Sequence, residues 1–250
     1  MQEQHGQGHQ PPEWRPVSRV RAYELVVDRI EEQILAGTLN VGDRLPGERD
    51  LASMLEVSRA AVREAMRTLE AQGVVRSAVG SGTDAGTIVS AVPTDALTRL
   101  LRFHVALANF SVEDVVAARI MLERSSSALA AEHATADDLE AIRAPLRAMD
   151  ATEDREAFND LDTDFHFAIA EAGRNRLVAN MTIAIRGSLR HRILHEFQRL
   201  GDRWGDVSAQ LRAEHHAIFD AIVDGDGEKA ADLIEQHIRS AQQMLSEPGS

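Results

Sequence analysis

The sequence predicts a mainly α-helical protein with three helices and a small β-hairpin at the N-terminus and an all-α bundle of six or seven helices at the C-terminus. The chain has 250 residues, which exceeds the usual size of one domain. Aromatic residues make up 4% and hydrophobic residues 44%, a balance that favours helices built on aliphatic side chains. Short β-branched runs flank one glycine-rich segment near residue 80, and the pattern is helical from residue 94 onward.

Composition excludes several classes of protein. The chain has no cysteine, so neither disulfides nor thiolate metal sites are available. No apolar run approaches the ~20 residues that a membrane-spanning helix requires. Residues 1–13, "MQEQHGQGHQPPE", lack the apolar core of a secretory signal and are expected to form a disordered polar tail. We therefore expect a cytoplasmic protein with no membrane partner.

Charge is shared unevenly along the chain, whose formal net charge is −13. Residues 14–90 hold ten arginines against eleven acidic residues, whereas residues 91–250 hold seventeen basic residues against 27 acidic ones. A nearly neutral domain followed by an acidic one is the pattern expected when only the first domain meets a polyanion. The predicted boundaries are a domain at 14–90, a linker at 91–95 and a second domain at 96–246.

The N-terminal elements follow from apolar spacing and from breakers. Apolar residues at helical spacing predict a first helix over residues 20–36, and "ERDLASMLEV" predicts a short second helix. Ser58 is a good N-cap for a third helix that ends near Gln72, before Gly73. "VVRSAV" and "TIVSAV" then flank a glycine-rich loop and predict a hairpin. Three helices and a hairpin in this order predict a winged helix-turn-helix.

The third helix carries Arg59, Arg63 and Arg67 at i, i+4 and i+8, so the three lie along one side. Such a helix fits the major groove of DNA, where arginine binds guanine bidentately. An alternative is a solvated face in which the arginines pair with Glu64 and Glu70. The apolar residues on the opposite side are expected to face the core: Val62, Met66 and Leu69.

The second domain is predicted to be helical throughout. Helices are expected near 94–108, 112–133, 136–149, 154–172, 176–199, 206–224 and 227–245.

Four residues in this domain, Asp162, His166, His215 and His237, can form a metal site. Three imidazoles and one carboxylate suit a divalent ion such as Zn, Ni or Mn, and the core of a helical bundle is a common place for such a site. Spacing alone does not select this set. His191 and His195 form another i, i+4 pair, and either His215 or the adjacent His216 can face inward, but not both.

The segment "GDRLPGERDLASMLEVSRAAVREAMRTLEAQGVV" resembles the DNA-binding domain of GntR-type bacterial transcription regulators. The familiar pattern is LPSER-x-LA, then VSR-x-x-VREAL, then L-x-x-x-G. Gly47 stands where the family usually has a serine, and glycine is an acceptable N-cap. The wing is also a few residues longer than usual. The resemblance implies main DNA contacts from Arg49, Arg59 and Arg63, with Ser58 and Gly80 touching phosphate or the minor groove.

The second domain resembles the FCD ligand-binding domain of the FadR subfamily, through "VVAARIMLE", "DTDFHFAIAEAGRN", "EHHAIFDAIVDGD" and "AADLIEQHI". The resemblance implies a metal held by Asp162, His166, His215 and His237. It further implies a small carboxylate effector that touches the metal and Arg119, with Asn175 at the family's asparagine position.

Each effector residue has a plainer alternative. Arg119 can form a salt bridge to Glu123 one turn away, and Asn175 can cap the following helix.

Together these features predict a transcription regulator rather than an enzyme, with repression as the expected mode. It is expected to bind an inverted-repeat DNA operator as a homodimer and to respond to a small carboxylate. Two alternatives remain open from the sequence: a metal-free regulator that responds to acyl-CoA, and a metal-dependent hydrolase with a DNA-targeting domain. Against the hydrolase, no general base is evident, since Asp164 points away from the helix face of Asp162 and His166.

Overall fold

The computed structural model describes residues 21–78, 86–90, 94–107 and 109–246. The chain divides into two compact units, Met1–Ala91 and Val92–Ser250. None of the helices in the described ranges is long and apolar enough to cross a membrane.

The described part of the N-terminal unit is a helix-turn-helix followed by a hairpin. Its elements are α1 (Ala22–Leu35), α2 (Glu48–Met54), α3 (Arg59–Ala71), β1 (Val75–Ala78) and β2 (Gly86–Val89). The strands are antiparallel, with Val75 opposite Val89 and Ala78 opposite Gly86. This architecture confirms the prediction for the N-terminal half.

Local interactions set both ends of the third helix, α3. The Ser58 hydroxyl accepts a hydrogen bond from the Ala61 amide at 3.1 Å and so caps the N-terminus. Two residues beyond the last helical residue, Gly73 adopts φ 74°, a left-handed conformation that glycine tolerates best. Between these ends, Val62 and Leu69 are fully buried, so one face of α3 is fixed in the core.

The C-terminal unit is a helical bundle that contains seven helices among its described residues, as the sequence predicts. They are α4 (Thr94–Ala106), α5 (Val112–His133), α6 (Ala136–Ala151), α7 (Arg155–Ala172), α8 (Arg176–Arg199), α9 (Trp204–Val223) and α10 (Gly227–Ser246).

The first bundle helix begins at Thr94, as the predicted range 94–108 indicates. One later boundary differs from expectation. The helix expected to begin at residue 206 begins at Trp204, because a 3-10 turn at Gly201–Arg203 leads directly into it.

Side-chain caps set the start of several bundle helices. Ser111, Thr135 and Asp154 each accept a hydrogen bond from the backbone amide three residues later. The core beneath them contains an aromatic cluster in which Phe158 packs edge-on against Trp204, with ring centroids 5.2 Å apart.

Candidate functional site

The exposed side of α3 carries the three arginines that the sequence places in a row. Arg59, Arg63 and Arg67 are all exposed. The Arg63 guanidinium lies 3.3 Å from the Glu48 carboxylate. Because this ion pair is exposed to solvent, it is weak and can rearrange. Glu70 accepts hydrogen bonds from the backbone amide and hydroxyl of Ser77, so its carboxylate is directed to the hairpin. The guanidinium row thus faces solvent, as contact with DNA requires.

The other expected DNA contacts lie around the start of these helices. Arg49 is on α2, its side chain 75% exposed beside Asp50. Ser58 is exposed at the N-terminus of α3, and its hydroxyl serves that helix as a cap. Gly80 lies outside the described residues.

In the bundle, the structure brings Asp162, His166, His215 and His237 together. One potential ligand atom from each residue lies within 4.8 Å of every other. All four are at least 97% buried. Asp162 and His166 come from α7, and the other two histidines from α9 and α10. The four residues lie on three helices that are separate in the sequence, so only the folded chain brings them together.

Two glutamates orient the histidine rings. Nδ1 of His166 lies 2.6 Å from Oε2 of Glu123, and Nδ1 of His237 lies 2.9 Å from Oε2 of Glu214. Histidines that bind metal usually present one ring nitrogen to a carboxylate or carbonyl in this way and the other to the ion. Sequence reasoning considered Glu123 only as a partner of Arg119 and missed Glu214, because no spacing rule links either residue to a histidine on another helix.

Orphaned nitrogen atoms show that the cluster fits a cation. Nε2 of His166 and Nδ1 of His215 are buried without a hydrogen-bond partner, and Nε2 of His215 lies 3.1 Å from Oδ1 of Asp162. Buried polar atoms are rarely left in this state. A divalent ion among these atoms would accept their lone pairs and remove the deficit.

The pKa shifts of the cluster residues also favour binding of a divalent cation. Burial, and next the neighbouring His237, lower the pKa of His215 to about 3. Burial opposes ionisation of Asp162, but Arg186, His166 and His215 outweigh it and hold the pKa of that carboxyl well below its ordinary value. Neutral imidazole and ionised carboxylate are the forms that bind a divalent ion.

The competing histidines lie elsewhere. His191 and His195 are exposed on α8. His216 is half-exposed and its Nε2 lies 3.0 Å from Asp150. The structure therefore selects His215 over His216, since His215 alone of the two faces the interior.

A cavity of about 620 Å³ adjoins the cluster, and Asp162 and His237 form part of its wall. Arg119 also lines this cavity, and it is 7% exposed. Its Nε donates to Oε1 of Glu123 at 2.5 Å, which is the salt bridge considered as the alternative from sequence. This pair uses one of the five N–H donors of the arginine, so the salt bridge does not exclude an effector contact.

A second arginine in the cavity wall was missed by sequence reasoning. Arg186 is 2% exposed and its Nη2 contacts the Asp162 carboxylate. Its Nε and Nη1 atoms are buried and have no hydrogen-bond partner. Burial lowers the pKa of this guanidinium. The one available signal was its position in the otherwise uncharged stretch "NMTIAIRGSL".

Asn175 does not line this cavity. It is exposed at the N-terminus of α8, and its Oδ1 accepts a hydrogen bond from the Val178 amide at 3.2 Å. The structure thus gives Asn175 the capping role that was its alternative.

Each of the two units matches a known protein family. Residues 22–84 match the family "Bacterial regulatory proteins, gntR family", and residues 114–240 match the FCD domain. The chain belongs to the GntR family. It is 31% identical to the HTH-type transcriptional regulator LutR of Bacillus subtilis (strain 168), over 84% of this chain and 94% of LutR. It is 30% identical to the HTH-type transcriptional repressor NanR of Salmonella newport (strain SL254), over 90% of this chain and 86% of NanR.

A solved structure shares the fold of this GntR-family protein. Streptococcus agalactiae GntR superimposes with a TM-score of 0.58 at 24% identity, covering 88% of this chain and 99% of that one. The GntR-family protein is a DNA-binding transcription regulator with an FCD domain, and its relatives are regulators rather than enzymes.

Proposed function

We propose that this GntR-family protein belongs to the FadR subfamily and represses transcription from the cytoplasm, as a homodimer on an inverted-repeat operator. The exposed Arg59, Arg63 and Arg67 support base contacts in the major groove. One recognition helix makes too few base contacts for specificity across a genome, which favours a dimer. Repression needs only occupancy of the operator, and the relative from Salmonella is named a repressor.

The bundle is proposed to hold one divalent ion, Zn, Ni or Mn, through Asp162, His166, His215 and His237. Such an ion supplies a Lewis-acid position for a ligand oxygen. Glu123 and Glu214 lie beside Nδ1 of His166 and His237 and would favour the tautomer in which Nε2 is available to a metal.

The effector is proposed to be a carboxylate bound in the adjoining cavity. The observation that carries this is the pair of buried arginines in its wall, Arg119 and Arg186, the second with unpaired donors. Guanidinium groups bind carboxylates through paired N–H donors. A ligand that binds more tightly to the DNA-free protein lowers operator affinity by the same coupling free energy, which links the two sites.

Metal analysis tests the proposed metal site. Elemental analysis of purified protein is expected to find one divalent ion per chain. The variant His215→Ala/His237→Ala is expected to lose it, while the control His191→Ala/His195→Ala retains it. Undiminished metal in the first variant contradicts the site, and an ion-free native protein favours the metal-free, acyl-CoA-responsive alternative.

Ligand screening tests the proposed carboxylate effector and its effect on operator binding. A thermal-shift screen of carboxylic acids on the metal-loaded protein is expected to reveal ligands, because binding raises stability by mass action. The same acids are expected to release the protein from an operator selected in vitro. Acids that raise the melting temperature but leave operator affinity unchanged contradict the regulatory link.

A further inference from the structure

The cavity beside the arginines is far larger than a three-carbon acid needs. Its volume is about 620 Å³. A dry cavity of roughly 150 Å³ accommodates benzene, which has six non-hydrogen atoms. Lactate also has six, so it would fill about a quarter of this space. Unfilled apolar volume forfeits packing contacts, so a small acid is poorly matched to the cavity.

The wall changes character with distance from the metal cluster. At the buried end it is charged, through Arg119, Arg186 and the cluster residues. Beyond that end most lining side chains are apolar, although Arg192, Glu196, Arg199, Arg203 and Gln242 also contribute. Three helices contribute aliphatic side chains there, among them Val112 and Val116 of α5, Leu189 and Ile193 of α8, and Ile238 and Ala241 of α10.

Helix geometry gives the length of the apolar part. On α5 the lining residues run from Arg119 back to Val112, which at 1.5 Å per residue is about 10 Å. On α10 they run from His237 forward to Leu245, about 12 Å by the same rise. Both runs start at the charged end, so the cavity is an elongated pocket whose buried end is polar.

The far part of the wall offers a weak site for a second anion. Arg199 is mostly exposed, and its guanidinium lies 3.5 Å from the Glu196 carboxylate. Arg203 donates to the Met244 carbonyl oxygen at 3.3 Å. Arg192 also lines the cavity and is exposed. Cations that are exposed to solvent or already engaged add little affinity for a carboxylate.

We infer that the effector is a monocarboxylate with an apolar body about 10 Å long, such as a medium-chain or arylalkyl acid, on the helix rise used above. Its carboxylate is bound by Arg119 and Arg186, and its body lies along Val116, Ile193 and Ala241. This inference rests on the proposed effector site and specifies the chemical class that the site selects.

Isothermal titration of the full-length protein supplemented with Zn²⁺ tests this, with L-lactate, butanoate, hexanoate, octanoate and octanedioate as probes. Each added methylene that becomes buried is expected to tighten binding about fourfold, so affinity rises from butanoate to octanoate. Octanedioate is expected to bind more weakly than octanoate, since its second carboxylate loses water in the mostly apolar part and gains only weak, solvent-screened guanidinium partners. Lactate or octanedioate binding as tightly as octanoate would overturn the inference.

Substitutions that fill the apolar part of the cavity provide a second test. Ala241→Phe and, on another helix, Val116→Phe are expected to weaken octanoate binding at least tenfold and butanoate binding less, because the shorter chain ends nearer Arg119. The matched control Gln243→Phe places the same side chain on the exposed side of α10. Unchanged octanoate affinity in both cavity variants would refute the placement of the acyl body.

The outcomes separate this inference from the proposed function. If short acids bind and release DNA but length has no effect, the effector site stands and the inferred class is wrong. If no acid of any length binds, both are wrong.

Discussion

Oε2 of Glu123 lies 2.6 Å from Nδ1 of His166, and both side chains are at least 97% buried. The other oxygen of the same carboxylate accepts from Arg119 at 2.5 Å. Arg119 and His166 outweigh burial and hold the pKa of Glu123 well below its ordinary value. One ionised carboxylate therefore fixes both a candidate metal ligand and a candidate effector contact.

Glu123→Gln is expected to weaken metal binding about 10- to 100-fold, the usual effect of losing a carboxylate that orients a histidine ligand. The amide cannot favour the Nδ1–H tautomer of His166 as strongly. A competition titration with a Zn²⁺ chelator measures the change. Glu132→Gln, exposed on the same helix, is the control. Equal affinities for Zn²⁺ in the two variants would contradict the role of Glu123.

The metal-free protein is expected to lose stability as pH falls below about 6.5. His215 has an ordinary pKa near 6.5 when unfolded and about 3 when folded, so between these values the unfolded state binds a proton that the folded state does not. The free energy of unfolding then falls by about 1.4 kcal/mol per pH unit. Urea denaturation in EDTA between pH 7 and pH 5 measures this slope.

His215→Phe is expected to reduce that slope, since the neighbours Phe158 and Phe165 suit an apolar ring. Some slope will remain, because burial also lowers the pKa of His237. A slope identical to that of the native protein would show that His215 does not titrate in this way. The exposed His191→Phe serves as the comparison.

Arg59→Ala and Arg63→Ala are each expected to weaken binding to the selected operator by about 1–3 kcal/mol, the range for a bidentate base contact. Fluorescence anisotropy at fixed salt gives the affinities. Arg29→Ala removes an exposed arginine of α1 that pairs with Glu32 and is expected to have little effect. Native operator affinity in both α3 variants would refute the recognition-helix assignment.

Ser58 has an observed structural role and a predicted DNA contact, and two substitutions separate them. Ser58→Ala removes the cap of α3 and is expected to lower stability by about 1 kcal/mol. Ser58→Asp keeps a capping oxygen, so stability is expected to persist while its charge repels DNA phosphate. Denaturation and operator titration of both variants provide the readouts. Full DNA binding by Ser58→Asp would exclude the phosphate contact.

Gly187 marks a close approach between α8 and α4. A Cβ atom there would lie 2.9 Å from Cγ2 of Thr98, so Gly187→Ala is expected to destabilise the bundle by about 1–3 kcal/mol. Gly205→Ala faces open space and is expected to be neutral or stabilising, as alanine is the better helix former. Comparing the two unfolding free energies checks the packing. A neutral Gly187→Ala would show that the helices can separate at no cost.

Local sequence was enough to predict the helices, the hairpin and the side of α3 that faces solvent. Apolar spacing, caps such as Ser58 and breakers such as Gly73 act within a few residues, so their effects can be read along the chain. The resemblance to the FCD domain of the FadR subfamily added the identity of the four candidate metal ligands, which spacing alone could not select.

Only the tertiary structure decided what lies around those ligands. Glu123, Glu214 and Arg186 come from three different helices, and nothing in local spacing ties any of them to the ligand candidate that it contacts on another helix. The same holds for the size of the cavity, which depends on how α5, α8 and α10 pack. Contacts between distant segments depend on side-chain packing across helices, whereas helix formation depends mainly on neighbours along the chain.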